Sequence, residues 1–197
     1  CGTQTAAMTA GGFLPPNTAN TNATEHYNGS SWTASGNLTD SRRNHSGCGI
    51  QTAAVTFAGD LGPSTTNQVQ NYDGSSWTNV TTTPATLLQY MAFGTQTNSV
   101  YAGGTPPTST TSFKYDGTSI SSGPAMATAR GGAANAGSGT AGVLASGMTT
   151  NPTTFTGNTE EFNRSANVIT AAAWASGGAL NTGRQSSSGF GQSNTLA

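Results

Sequence analysis

The chain has 197 residues, only 7% of them charged, and a formal net charge of −1. A soluble domain usually has roughly 25% charged residues, and this chain replaces the strong helix formers Lys, Glu and Leu with Thr, Ser, Asn, Gly and Ala. Long amphipathic helices are therefore disfavoured. The six scattered basic residues provide no electrostatic footprint for nucleic acid or an anionic membrane surface.

No stretch reaches the roughly 20 apolar residues of a membrane-spanning helix, so we expect no membrane insertion. The first residue is Cys1 and not Met, which leads us to expect a segment of a longer chain. Three Trp, five Tyr and seven Phe recur at fixed places, a pattern that argues against disorder. The composition favours an all-β fold.

Four copies of one motif follow each other along the chain. They start at Cys1, Cys48, Phe93 and Ala136, and a fifth starts at Phe190. The anchors of the four copies are Gly12, Tyr27, Trp32 and Arg42; Gly59, Tyr72 and Trp77; Gly104, Tyr115 and Arg130; and Gly147, Phe162, Trp174 and Arg184. We predict a single domain over 1–197, with repeats 1–47, 48–92, 93–135 and 136–189 and a partial repeat 190–197.

Each copy predicts four short strands, a to d. Strand a runs from the arginine anchor to an X-Gly pair, strand b closes on the glycine anchor, strand c ends at the Tyr or Phe anchor, and strand d carries the Trp. By this pattern the first copy lacks its own strand a. The pairs Asn28-Gly29 and Asp73-Gly74 predict type I′ hairpin turns between strands c and d. A segment of variable length, rich in proline, forms the b to c loop.

A single four-stranded sheet cannot bury either of its faces, so neighbouring copies are expected to stack. Radial stacking of such sheets produces a β-propeller. The Tyr and Trp anchors are then the large side chains between blades, and we expect Tyr27, Trp32, Tyr72 and Trp77 to be buried there.

A glycine pair that closes a strand, an aromatic residue, a Trp and then an Arg on the next strand form a pattern that resembles kelch repeats. The resemblance extends from Cys1 to Ala197. The motifs GTQTAA, AGG and YNGSSW are similar to those of kelch-like repeats in marine bacterial and phage proteins, including virion appendage proteins. Ala58 and Ser146 depart from the glycine pair, Leu87 from the Arg and Ile120 from the Trp. The resemblance implies a propeller of at least four four-stranded blades.

Several short motifs have an alternative chemical interpretation. The run from Gly137 to Gly142 satisfies G-x-G-x-x-G, but no helical pattern follows it, which disfavours dinucleotide binding. Cys1 and Cys48 share one apolar repeat column. A disulfide between neighbouring blades is therefore an alternative to two free cysteines. His45 and Cys48 are three residues apart and would point to opposite faces of a strand, so we expect neither a metal site nor a cofactor.

No G-x-S-x-G motif is present, and two histidines provide little material for a catalytic triad. We therefore expect no enzymatic activity. Two aromatic residues, Phe13 and Phe155, fall in predicted b to c loops, where they have no repeat role. With neighbouring Asn17 and Asp60 they are the candidate binding residues, and capping of the core by the two Phe is the alternative.

The sequence predicts a non-catalytic extracellular or virion-surface module for structure or binding, of the tail-fibre or adhesin type. Its expected partners are other copies or structural proteins of an appendage, or a cell-surface glycan. A carbohydrate-active propeller enzyme and an intracellular kelch-type adaptor are the alternatives.

Overall fold

A computed structural model describes residues 1–16, 19–150, 154–164, 173–178 and 183 of the chain. Every regular element among these residues is a β-strand. Four sheets, each with four antiparallel strands, follow one another in chain order. The chain divides into two compact units, Cys1–Leu88 and Gln89–Ala197. The prediction of an all-β fold built from four-stranded units is confirmed.

The first unit contains two sheets, and each is a meander of consecutive strands. The first sheet consists of β1 (Gly2–Thr3), β2 (Ala6–Leu14), β3 (Ala19–Tyr27) and β4 (Trp32–Ser35). The second consists of β5 (Ser46–Ile50), β6 (Ala53–Asp60), β7 (Thr65–Tyr72) and β8 (Trp77–Thr82). Of the strand a that the first copy was expected to lack, two residues are present as β1, which pairs with β2 through Gly2 and Ala7.

The second unit contains two further sheets of the same design. The third sheet consists of β9 (Met91–Thr95), β10 (Asn98–Ala102), β11 (Ser112–Tyr115) and β12 (Ile120–Ser122). The fourth consists of β13 (Ala134–Gly137), β14 (Ala141–Ala145), β17 (Thr159–Asn163) and β18 (Ala173–Gly177). A separate hairpin of β15 (Met148–Thr150) and β16 (Thr154–Phe155) is inserted between β14 and β17.

The glycine of the X-Gly pair has a steric role in all four sheets. Its backbone is left-handed in each copy, with φ between +111° and +140°, at Gly2, Gly49, Gly94 and Gly137. A Cβ atom at any of these positions would lie 2.2 to 2.4 Å from a carbonyl oxygen on the paired strand. Only glycine fits both the conformation and the space.

The arginine anchors connect one sheet to the next. The Arg42 carbonyl accepts a hydrogen bond from the Gly12 N–H of the first sheet at 2.8 Å. Its guanidinium donates to the carbonyls of Ala58, at 2.8 Å, and Gln68 in the second sheet. The side chain is fully buried. Each such arginine therefore connects two sheets through its own backbone and side chain.

Arg130 repeats this arrangement in the second unit. Its carbonyl accepts from the Gly104 N–H at 2.9 Å, and its guanidinium donates to the carbonyls of Ser146 and Asn158, both at 2.8 Å. Ser146 and Ala58 are the departures from the glycine pair, and both keep the left-handed backbone, with φ of 69° and 54°. The chain therefore keeps the left-handed backbone that presents this carbonyl even where glycine is absent.

The carboxylate that balances the buried arginine comes from a different place in each unit. Asp40, two residues before Arg42, accepts from its guanidinium at 2.5 Å. In the second unit Glu160, on β17, accepts from the Arg130 guanidinium at 2.7 Å. In the second sheet, the repeat position equivalent to Glu160 is occupied by the neutral Gln70. The Gln70 side-chain oxygen accepts a hydrogen bond from the Thr39 N–H. Each buried cation thus has one carboxylate, as its desolvation requires.

The turns between strands c and d are four-residue loops, and the prediction of type I′ turns is wrong. Asn28 and Asp73 lie outside the left-handed region, and only Gly29 and Gly74 occupy it. The Asn28 side-chain oxygen accepts from the Ser30 and Ser31 N–H groups, both at 3.0 Å. The predicted hairpins are present, but an Asx cap holds them in place of two left-handed residues.

In the first unit, the second sheet packs its aromatic anchors against the first sheet. Trp77 donates from Nε1 to the Thr24 hydroxyl at 2.9 Å. The Tyr72 hydroxyl lies 3.0 Å from His26 Nε2. Both aromatic side chains are buried, as the sequence predicts. In the second unit, Phe162 of the fourth sheet packs against Phe93 of the third, with ring centroids 6.0 Å apart.

The equivalent aromatic pair of the first sheet has a different environment. The Tyr27 and Trp32 rings lie 5.1 Å apart with an interplanar angle of 37°, nearly the geometry of Tyr72 and Trp77. Trp32 is nevertheless 51% exposed, so the prediction that it is buried is wrong. Tyr27 is half-buried. No other sheet within the described part of the first unit covers this face. Trp174 lies on β18, but its side chain and Arg184 lie outside the described residues.

The two Trp anchors of the first unit should contribute very differently to stability. We expect Trp77→Ala to lower the free energy of unfolding by about 3–5 kcal/mol, as truncation of a buried aromatic residue does. Trp32→Ala should lower it by less than about 1 kcal/mol, because much of its ring is already in water. Guanidinium unfolding curves of the two variants give this comparison directly. Equal losses would show that Trp32 is covered in the folded protein.

Candidate functional site

The b to c hairpins of the first unit extend beyond the bulge at the glycine pair. In the first sheet the ladder shifts register between Ala10 and Gly12 and then continues through Phe13, which pairs with Asn20. The second sheet shifts between Phe57 and Gly59, and Asp60 then pairs with Thr65. Phe13 and Asp60 therefore occupy the same repeat position, directly after the second residue of the pair. Phe13 is on a strand, not in a loop as predicted.

Arg43 joins these two residues into one cluster. Its guanidinium carbon lies 4.3 Å from the centroid of the Phe13 ring. Its Nε donates to the Asp60 carboxylate at 2.8 Å. Arg43 and Asp60 also exchange two backbone hydrogen bonds, and Asn20 donates from its side-chain amide to the Asp60 carbonyl at 2.7 Å. We call Phe13, Asn20, Arg43 and Asp60 the bulge-end cluster.

The carboxylate of Asp60 is anionic in this setting. Partial burial raises the pKa of Asp60, but the Gly62 N–H and the Arg43 guanidinium lower it more, and the net shift is downward. Arg43 keeps about a third of its side chain exposed, and Phe13 is 42% exposed. The cluster therefore presents an aromatic ring and a fixed cation at the surface.

This chemistry does not recur at the equivalent position of the fourth sheet. There Gly131 and Met148 exchange the two backbone hydrogen bonds that Arg43 and Asp60 exchange in the first unit. Met148 is fully buried. The same backbone bridge thus serves packing in one copy and presents charged side chains in another.

The remaining candidate residues are not part of the bulge-end cluster. Phe155 lies on β16, pairs with Met148 and is 37% exposed, so it is also on a strand and not in a loop. It belongs to the second unit. Asn17 lies outside the described residues. Sequence reasoning missed Arg43, although the Arg42-Arg43 dipeptide was a signal, since only one of the two can occupy the anchor position.

The two cysteines and His45 line one cavity of about 190 Å³ in the first unit, together with Met8 and Trp77. No disulfide joins Cys1 and Cys48. The His45 ring forms a hydrogen bond with the Ala10 backbone. Its Nδ1 atom is buried without a hydrogen-bond partner. Among the residues that the structure describes, no three His, Cys, Asp or Glu side chains are grouped as a metal ion requires.

The other motifs singled out in the sequence have structural positions. Gly137 ends β13 and Ala141 begins β14, so the G-x-G-x-x-G run forms a turn followed by a strand, as the repeat pattern predicts. A dinucleotide site of this type needs a helix there. Within the described ranges, no helix is long and apolar enough to cross a membrane.

No protein-family model matches the chain, and the search of curated proteins finds no significant match.

His45 should make the stability of the fold depend on pH. Burial, followed by the charge of Arg42, lowers the pKa of His45 to about 4. An unfolded histidine titrates near 6.5, so between about pH 6.5 and 4 the unfolded state binds a proton that the folded state does not. The free energy of unfolding should therefore fall as the pH is lowered through this window.

Urea unfolding at pH 7.5, 6.5, 5.5 and 4.5 measures this effect. We expect His45→Gln to flatten the pH profile over the window. His26→Gln removes the other histidine and is the matched control for the loss of an imidazole. An unchanged slope in His45→Gln would mean that His45 is not buried in its neutral form.

Proposed function

We propose that the protein is a non-catalytic extracellular binding module of a phage or bacterial surface appendage, of the tail-fibre or adhesin type. Its four-stranded sheets are the blades of a kelch-like β-propeller. Two observations support this architecture: the meander order within every sheet, and the packing of the aromatic anchors of one sheet on the preceding one within each unit. The partner is a glycan or a structural protein of the appendage.

The bulge-end cluster is the observation that carries the binding role. An exposed aromatic ring offers an apolar face to the C–H groups of a sugar or to an apolar side chain. Arg43 is held in place by Phe13 and Asp60, so little rotamer entropy remains to be lost when it binds a hydroxyl or carbonyl group. The cluster stands on paired strands, which makes it a rigid platform.

The use of the carboxylates supports a non-catalytic role. Of the seven acidic residues, Asp40, Asp60 and Glu160 are in ion pairs with arginine. Asp73 and Asp116 accept three or more hydrogen bonds each from their own turns. Glycoside hydrolysis needs two carboxylates that face one substrate. Most of the acids here are already committed to the fold.

Attachment of the protein to its target surface should depend on the bulge-end cluster. We expect Phe13→Ala and Arg43→Gln each to weaken attachment about tenfold or more, as the loss of an interface anchor does. Ile50→Ala is the matched control: Ile50 is 53% exposed and lies at the opposite end of its sheet. It should leave attachment unchanged.

Binding is measured on a glycan array and on intact cells, with melting temperatures recorded for every variant. Product analysis by chromatography on the glycans that bind should show no cleavage. Unchanged attachment of Phe13→Ala, or a lowered melting temperature with intact attachment, would contradict the binding role. Turnover of a bound glycan would contradict the non-catalytic assignment.

A further inference from the structure

Basic side chains are scarce in this protein, and half of them are in ion pairs. The chain has six Lys and Arg residues, and three of the arginines are in ion pairs. Arg184 lies outside the described residues. The other two, Lys114 and Arg164, line the same cleft of about 150 Å³ in the second unit. Neither is in an ion pair within the part of the chain that the structure describes.

Lys114 occupies a repeat position that has a structural role elsewhere. It precedes the aromatic anchor on β11, as His26 does on β3. His26 Nε2 is 3.0 Å from the hydroxyl of Tyr72, the aromatic anchor of the following sheet. The corresponding anchor in the fourth sheet is Phe162, which has no hydroxyl. The fourth sheet therefore offers the Lys114 ammonium no hydroxyl equivalent to the one that Tyr72 offers His26.

Arg164 occupies a repeat position that otherwise belongs to glycine. The residue two positions after the aromatic anchor is Gly29, Gly74 or Gly117 in the first three sheets, with φ between +96° and +102°. In the fourth sheet this residue is Arg164, which directly follows β17 without the left-handed backbone and donates its backbone N–H to the Thr140 carbonyl at 2.7 Å. The side chain is exposed, and the fold does not require it. This substitution places a cation beside Lys114.

The rest of the cleft is suited to hydroxyl groups. Thr97, Asn98 and Ser121 line it with two hydroxyls and one amide, and all three are exposed. Asp116 also lines it, but its oxygens accept hydrogen bonds from Thr118 and Ser119 in its own turn. Two cations against one carboxylate leave a local charge of about +1. Such a cleft fits one anionic group with neighbouring hydroxyls.

We propose that the Lys114–Arg164 cleft binds an acidic sugar of a polysaccharide, through the carboxylate of a uronic acid or through a sulfate ester. The two cations form charge-assisted hydrogen bonds with the anionic group. The polar side chains around them bind the sugar hydroxyls. Two cations are too few for the phosphate contacts of a nucleic acid. The inference rests on the proposed function only in taking a glycan as the ligand.

Calorimetric titration of the full chain tests this site with four probes. They are an alginate hexasaccharide, a sulfated galactan hexasaccharide, the neutral laminarihexaose and inorganic sulfate. We expect one or both acidic hexasaccharides to bind at least about tenfold more tightly than laminarihexaose and sulfate, and to weaken with added salt. The carboxylate and sulfate probes show which anionic group is preferred.

Two variants remove the cations without disturbing the fold. Arg164→Gly introduces the residue that stands two positions after the aromatic anchor in the other three sheets, and Lys114→Gln keeps a polar side chain of similar length. Each should weaken binding of the acidic probe about tenfold, whereas Arg164→Lys, which keeps the charge, should retain most of it. Melting temperatures of the variants should remain unchanged.

Three results would overturn the proposal. These are equal binding of acidic and neutral hexasaccharides, equal binding of sulfate alone, and full binding by Arg164→Gly. Attachment through the bulge-end cluster is measured separately with Phe13→Ala. A failure of the acidic cleft is therefore distinguishable from a failure of the proposed binding function.

Discussion

The packing of sheet on sheet in this protein depends on a buried arginine that belongs to two sheets at once. The arginine is fixed to the preceding sheet through its backbone carbonyl and to the following sheet through its guanidinium. One acceptor in the following copy is the carbonyl of a residue with a left-handed backbone, Ala58 or Ser146. A buried guanidinium without acceptors would cost several kcal/mol, so the bulge, the carbonyl and the carboxylate partner must all be kept together.

This constraint explains why the repeat tolerates some departures and not others. Ala58 and Ser146 are acceptable in place of glycine because they keep the left-handed backbone, at a cost of roughly 1–2 kcal/mol. The carboxylate can move from Asp40 to Glu160 because only its charge and its position beside the guanidinium matter. The X-Gly glycine cannot change, since any side chain would collide with the neighbouring carbonyl.

The sequence was sufficient to predict four consecutive four-stranded units, because the anchors recur at nearly constant spacing and each copy forms one local sheet. It did not predict the β15–β16 hairpin that is inserted in the fourth unit. It predicted burial of Tyr72 and Trp77 correctly. It failed at Trp32, because the environment of a sheet face depends on which sheet lies next to it and not on its own residues. It also failed at the c to d turns, where the Asn28 side chain replaces the second left-handed residue.

The candidate sites were only half visible in the sequence, for a related reason. Phe13 was recognisable as a residue without a repeat role, with Asp60 as an assisting neighbour, but the side chain that joins them, Arg43, was not among the candidates. Lys114 and Arg164 are far apart in sequence. They line one cleft because the third and fourth sheets are neighbours in the second unit. In both sites the functional candidates are departures from the repeat.

The central claim is that the buried arginine and its carboxylate act as one unit that joins two sheets. Guanidinium unfolding of Arg130→Met, Glu160→Gln and the double variant measures this most directly. We expect Arg130→Met to lower the free energy of unfolding by about 3–5 kcal/mol, because it leaves the Glu160 charge buried without its partner. The double variant should recover more than about 1 kcal/mol of that loss. A loss below about 1 kcal/mol in Arg130→Met, or a double variant whose loss equals the sum of the two single losses, would contradict the account.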